Sequence, residues 1–220
     1  MKLLILGGTG LVGRQLVAQA LAHRDVSQVT APTRRALAQH PQLRNPIVEY
    51  ADLPPDADWW QADAVLCALG TTIRIAGSQA AFSRVDHDYV LAAARLAKAS
   101  GTPRFVYNSA LGANANARSF YLRVKGQVEN DLHALNFPAL TIVRPSLLYG
   151  GSRADKRPAE TAAIIVSHLL GPLIPLRYRA VNVTDVAAAM INAAVTFDDG
   201  FHILESDQLQ HADTRIENRR

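Results

Sequence analysis

The chain has 220 residues, a mass of 23.8 kDa and 49% hydrophobic residues, enough apolar surface for one folded unit and too much for global disorder. Its net charge is +4 with a pI of about 9.5, but the basic residues, mostly arginine, are scattered, which argues against a nucleic-acid surface. The single cysteine, Cys67, excludes an internal disulfide, no His/Cys cluster predicts a metal site, and no run of about 18 apolar residues predicts a membrane span. With no leader-like opening, these features predict a cytoplasmic protein.

Residues 3–6 form an unbroken apolar run, the pattern of a strand buried on both faces. The stretch Gly7-Gly8-Thr9-Gly10-Leu11-Val12-Gly13 follows, and 11–22 then carries apolar residues at helical spacing. Strand, glycine turn and helix in succession are the setting in which a glycine pattern becomes a dinucleotide-binding site. Two registers overlap. Gly8, Gly10 and Gly13 fit G-x-G-x-x-G, while Gly7, Gly10 and Gly13 fit G-x-x-G-x-x-G. Glycine lets a pyrophosphate approach the backbone, and the first N–H groups of the helix face the phosphates. Gly7, Thr9, Gly10, Leu11, Val12 and Gly13 are therefore the first expected cofactor contacts.

A second strand is expected at 26–31. NAD-binding units place an acid just beyond it, on the ribose 2′-hydroxyl. Here 26–37 holds no acid, and Thr33, Arg34 and Arg35 stand at the strand end. A guanidinium suits a phosphate in shape and charge, so NADP(H) is the expected cofactor, with Arg34 or Arg35 on the 2′-phosphate. The segment 36–46 reads as loop with at most one helical turn, and 47–50 as a short strand. Asp52, beside Leu53, either holds an adenine amino group or caps the turn into Pro54-Pro55. Trp59 and Trp60 read as hydrophobic cover for a sheet edge.

The next strand is expected at 64–69. It ends at Leu69-Gly70-Thr71, where a cofactor passes close over the backbone and Thr71 or Thr72 reaches ribose or phosphate. One long helix is predicted over 82–98, stopped by Gly101-Thr102-Pro103. A strand at 105–108 leads into Ser109, Ala110, Leu111 and Gly112. Ser119 reads as the cap of a helix running to about 135, on which Tyr121 and Lys125 share a face. A strand at 140–143 leads to Arg144-Pro145. The polar and basic 151–157 and the apolar-periodic 158–170 suggest a substrate-side lid over about 151–180, or a subunit contact. Asp185 opens a helix at 186–195, a last strand follows at 201–204, and 206–220 reads as a frayed polar tail. The whole predicts an α/β chain: a single-domain doubly wound parallel sheet over 1–220, a Rossmann fold with a small C-terminal lid.

Such sheets bind ligands outside the carboxyl ends of their strands. The glycine turn, Arg34, Asp52, Gly70, Ser109 and Pro145 all fall at such ends. Reducing a carbonyl requires a proton for the developing alkoxide. Tyr121 can supply it, Lys125 can favour the phenolate left behind and hold a nicotinamide ribose, and Ser109 can orient the substrate oxygen.

These residues bring a family into view. The chain resembles the atypical short-chain dehydrogenase/reductases, in the Tat-interacting protein two-like branch. The resemblance rests on Gly-Gly-Thr-Gly-Leu-Val-Gly (7–13), Cys-Ala-Leu-Gly-Thr-Thr (67–72) and Arg-Val-Asp-His-Asp-Tyr-Val (84–90), and continues through Tyr-Leu-Arg-Val-Lys-Gly-Gln-Val-Glu (121–129) and Arg-Pro (144–145). It implies NADPH binding and a Ser109/Tyr121/Lys125 site. Three departures stand out. Ala110 takes the second place of what is often a serine pair. Asp86 falls where many relatives carry asparagine. Only 70 residues follow Gly150, leaving little room for a nucleotide-sugar pocket.

The leading expectation is an NADPH-dependent reductase of a small or medium carbonyl compound. Five basic residues (Arg153, Lys156, Arg157, Arg177, Arg179) tilt it towards an anionic substrate. The resemblance also implies an alternative, an NADPH-binding regulatory protein acting through a protein partner. A sugar-nucleotide epimerase or dehydratase is the third reading.

Overall fold

The computed structural model describes residues 1–151, 174–196 and 198–210. The lid helix expected at 158–170, Arg153, Lys156, Arg157 and the tail from 211 onward lie outside the described residues.

Seven parallel strands form one sheet: β1 (Lys2–Leu6), β2 (Gln28–Thr30), β3 (Leu43–Arg44), β4 (Ala64–Cys67), β5 (Arg104–Asn108), β6 (Ala139–Arg144) and β9 (Gly200–Glu205). Their order is β3-β2-β1-β4-β5-β6-β9, so the winding reverses between β1 and β4. That reversal opens the crevice in which doubly wound sheets hold ligands. A separate pair, β7 (Leu148–Tyr149) and β8 (Val181–Asn182), follows β6.

The apolar run of β1 explains the two layers. Successive side chains point to opposite faces of a sheet. Leu3 and Ile5 meet α1 (Leu11–Ala22) and α6 (Val183–Thr196) through residues such as Leu16, Ala20, Val186 and Met190. Leu4 and Leu6 meet α4 (Tyr89–Ala99) and α5 (Phe120–Ala134) through Val90, Ala94, Val128 and Leu132. The four apolar side chains of β1, Leu3 to Leu6, are exposed by 1% or less, and each burial stabilises by roughly 2 kcal/mol.

The structure departs from the sequence expectations at several points. The third strand lies at Leu43–Arg44, inside the expected loop, and the expected strand at 47–50 reduces to one bridge between Thr33 and Ile47. Pro46 has no N–H to continue the ladder, and Asn45 turns its side chain onto Ala31 and Thr33 instead. The strands at 26–31 and 64–69 shorten to β2 and β4. Trp60 is a core residue and not edge cover: it is fully buried on the 3-10 turn Asp58–Trp60, with its indole N–H on the Pro54 carbonyl at 2.8 Å.

The long helix of 82–98 is built from three parts. A short α2 (Ile73–Ala76) precedes α3 (Gln79–Ser83), which starts early because Ser78 Oγ accepts the Ala81 N–H. A wide π-type turn, Arg84–Asp88, then joins α3 to α4, with the Tyr89 N–H on the Arg84 carbonyl. Ser119 does precede α5, but its side chain makes no capping hydrogen bond. Asn182 Oδ1 accepts the Thr184 N–H at 3.0 Å, so α6 begins before Asp185. The frayed tail is corrected at its start. There α7 (Ser206–Leu209) opens with a capping box of Glu205 and Gln208, and Ser206 and Leu209 are fully buried.

Candidate active site

The glycine turn joins β1 to α1 under tight steric limits. Gly7 has φ +84°, and a Cβ there would lie 2.6 Å from the Ala68 carbonyl oxygen on the neighbouring strand end. A Cβ on Gly13 would lie 2.0 Å from the Gly7 oxygen. Gly8 has no such limit: its nearest neighbours would sit at ordinary contact, from 3.4 Å. The geometry therefore favours the register Gly7, Gly10, Gly13. The Gly10 N–H bonds the Gly7 carbonyl, and helical bonding starts at Arg14 on the Gly10 carbonyl. The N–H groups of Leu11, Val12 and Gly13 thus have no acceptor within the helix. With no acid in this first turn, the end of α1 favours an anion. Thr9 is half-buried beside it.

Tyr50 ties this turn to the end of β2, a role the sequence reading missed. Its hydroxyl accepts the Gly7 N–H at 3.2 Å and donates to the Pro32 carbonyl at 2.8 Å. Burial pushes the phenol up to about 12, so it keeps its proton at neutral pH. Its ring stacks on Tyr89 of α4.

Arg34 and Arg35 are exposed just beyond β2. Asn45 organises their loop: its Nδ2 donates to the Ala31 carbonyl and to Thr33 Oγ1, and its Oδ1 accepts the Leu37 N–H. Thr33 Oγ1 in turn donates to the Arg35 carbonyl. A cavity of about 590 Å³, lined in part by Leu37, Gln39, His40 and Asn45, opens in this same loop. Asp52 is exposed, and among the described residues its carboxylate holds no hydrogen bond, so it does not cap the following turn. Leu53 and Leu69 are buried, Gly70 is exposed and Thr71 half-buried. Thr72 Oγ1 accepts the Ile75 N–H and so caps α2. Pro145 is buried, its carbonyl accepting the Leu111 N–H.

Helix α5 carries Tyr121, Lys125 and Glu129 four residues apart, on one face. Tyr121 is 38% exposed, with Phe82 of α3 edge-on at 5.9 Å. Lys125 is buried. Its Nζ lies 3.1 Å from Asp86 Oδ1 and donates to the Tyr107 hydroxyl at 3.0 Å. Burial presses the ammonium towards neutrality, but Tyr107, Asp86 and Tyr121 oppose it and win, holding Lys125 well above the usual lysine range. Burial lifts the Asp86 carboxyl above its ordinary value, and Lys125 and the Thr71 N–H offset part of that.

Ser109 differs from expectation. Expected as a donor to the substrate oxygen, it gives its proton to Glu129 Oε1 at 2.5 Å. Glu129 in turn takes two bonds from Arg144, at 3.1 and 2.6 Å, and Arg144 reaches Glu205 at 2.9 Å. This network ties the ends of β5, β6 and β9 to α5. The sequence held a sign of it, since Glu129 continues the spacing of four from Tyr121 and Lys125. Glu129→Ala should lower unfolding stability by about 3 kcal/mol, because it strands partly buried Arg144 and Ser109. Glu129→Gln should lose less than half of that. Urea titration checks both, and a Glu129→Ala midpoint equal to wild type would remove the network from the account of this rim.

Together these features define a dinucleotide-binding α/β protein, with a glycine turn, a basic loop and a buried lysine at the carboxyl ends of a parallel sheet. The chain belongs to the NAD(P)H-binding family whose model matches residues 7–196. It is 36% identical to rat Protein HTATIP2 over 213 residues, 94% of this chain and 87% of that protein. It is 30% identical to Protein FMP52-1, mitochondrial, of Scheffersomyces stipitis, over 88% of each chain. Among solved structures, MoeE5 in complex with UDP-glucuronic acid and NAD superposes with a TM-score of 0.72 at 20% identity, over 94% of this chain and 76% of that one. The UDP-glucuronic acid 4-epimerase of Bacillus cereus, bound to UDP-glucuronic acid and NAD, gives 0.71 at 16% identity, over 94% and 77%. At such identities the two structures share the fold with this chain. Among the described residues no helix is long and apolar enough to cross a membrane, and no group of three or more His, Cys, Asp or Glu side chains could hold a metal.

Proposed function

We propose that the chain, acting as one unit over 1–220, is an NADPH-dependent reductase of a small or medium carbonyl compound. The observation that carries this reading is the charged, buried Lys125 one turn from half-exposed Tyr121, at the sheet's ligand-binding edge. The reduced nicotinamide, when bound, supplies the hydride. Tyr121 gives the proton to the developing alkoxide. Lys125 stabilises the phenolate this leaves. The N–H groups of Leu11, Val12 and Gly13 would hold the pyrophosphate, and Gly70 and Thr71 would border the ribose. Arg177, which is exposed, supports an anionic substrate. The test is loss of NADPH absorbance with a panel of aldehydes and ketones; no turnover with any of them would overturn the reading.

Preference for NADPH over NADH is supported by Arg34 and Arg35 and by the absence of an acid from 26 to 37. Arg34→Ala should weaken NADPH about tenfold and leave NADH unchanged, the loss of one charge-assisted phosphate contact. Asn45→Ala should weaken NADPH similarly, by freeing the arginine loop. Fluorescence titration reads both, and equal affinity of the wild type for the two cofactors would remove the argument. We place the protein in the cytoplasm. The mitochondrial label of the yeast relative makes cell fractionation the check.

One observation favours a second reading, an NADPH-binding regulatory protein acting through a partner. Ser109 spends its proton on Glu129, and Ala110 offers none, so neither residue of the expected serine place offers a free donor. NADPH binding without turnover would select this reading. The nucleotide sugars in the related structures make binding of UDP-glucuronic acid the check on an epimerase or dehydratase reading.

A further inference from the structure

Asp86 sits on the π-type turn and is 1% exposed. A π turn inserts one residue into a helix, re-aims the side chains around it and recurs at functional sites. Here it directs Asp86 at two places at once. One carboxylate oxygen accepts the Thr71 N–H at 2.7 Å, just past the end of β4, where the proposed cofactor would border the backbone. The other stands 3.1 Å from Lys125 Nζ.

Four groups face that ammonium: Asp86 from the turn, Tyr107 from β5, Cys67 from β4, and Tyr121 from its own helix. Burial pushes the Cys67 thiol up to about 12 and the Tyr107 phenol upward, so both are neutral at pH 7. Asp86 is the full negative charge in this set. An ammonium exposed by only 4% sheds its proton readily when no counter-charge is present. We propose that Asp86 is a positioning residue that keeps Lys125 charged and aimed, so that proton transfer by Tyr121 depends on a carboxylate carried by the π turn. The proposal rests on the reading of Tyr121 and Lys125 as reductase residues.

The sign of a pH shift tests it. In reduction the protonated phenol is the active form, so the rate falls where the phenol ionises. If Asp86→Asn makes Lys125 lose its proton, the phenol holds its own more tightly and the alkaline limb moves up. If Lys125 stays charged, its unscreened field favours the phenolate and the limb moves down. The expected result is an upward move of about one pH unit, with kcat/KM at pH 7 at least about tenfold lower. Asp86→Glu should recover part of the rate. No move, or a downward one, overturns the proposal.

A second measurement needs no turnover. The chain has four lysines, Lys2, Lys98, Lys125 and Lys156, so side-chain NMR of lysine-labelled protein gives few lines, with Lys125→Met to assign the one of interest. In the wild type the Lys125 line should stay in its ammonium position beyond those of exposed lysines. In Asp86→Asn it should titrate at least about two pH units lower. A wild-type line that titrates at or below the others overturns the proposal, even if Asp86→Asn fails to fold. If no carbonyl is reduced, the proposed function falls while this measurement still decides the role of Asp86.

Discussion

Tyr121→Phe should lower kcat for carbonyl reduction by about a thousandfold and leave NADPH affinity within about twofold of wild type. The size follows from what is removed. A phenol in reach of the substrate oxygen is replaced by a ring with no proton to give, while hydride delivery is untouched. The ring itself stays: Phe keeps the edge-on contact with Phe82 at 5.9 Å. The lost hydroxyl belongs to a side chain that is 38% exposed, so stability should change by less than about 0.5 kcal/mol. Lys125→Met makes the contrast. It removes a buried cation and leaves Asp86 without its counter-charge, so it should weaken turnover and unfolding stability together. Stopped assays with titrated NADPH separate the two variants. A Tyr121→Phe protein that reduces carbonyls at the wild-type rate would take this tyrosine out of the chemistry. One that binds NADPH beside an equally inactive wild type would leave the regulatory reading standing.

The parts of the fold written in contiguous residues could be read directly. The β1 run, its glycine turn and the α1 stripe are one local signal, and the turn and the dinucleotide-binding class followed from it, while the family needed the later motifs as well. What failed to show were contacts made by side chains distant in sequence. The apolar spacing of 82–98 passes straight through the π-type turn, because one extra residue hardly disturbs a stripe that wide. Asp86 therefore read only as an acid in the place of an asparagine, and its burial against Lys125 did not show. Tyr50 read as the end of a strand that does not form, when it holds the glycine turn. Ser109 was placed at the correct strand end, but its hydrogen-bond partner depends on where Glu129 and Arg144 arrive from two other elements. Positions were legible; the direction of each proton was not.

The glycine turn gives the sharpest separation of the two overlapping registers. Gly13→Ala sets a methyl 2.0 Å from the Gly7 carbonyl oxygen, a distance no real contact tolerates. The obstruction is backbone, so no side-chain rotation relieves it. Either α1 moves away from β1 or the turn opens, and both misplace the N–H groups of Leu11 and Val12. Overpacking of this kind costs about 1–3 kcal/mol of stability. A displaced phosphate site should weaken NADPH by about a hundredfold or more, the equivalent of roughly 3 kcal/mol. Gly7→Ala should behave alike, since it meets the Ala68 carbonyl oxygen at 2.6 Å and needs φ +84°. Gly8→Ala should not. Its methyl would touch Val17 at 3.4 Å, Ala31 at 3.5 Å and Leu37 at 3.7 Å, all side chains at ordinary contact. It should unfold within about 1 kcal/mol of wild type and bind NADPH within about threefold. Were Gly8→Ala the damaging change and Gly7→Ala the mild one, the pyrophosphate would sit in the other register, and the assignment of Leu11 and Val12 as its donors would fall with it.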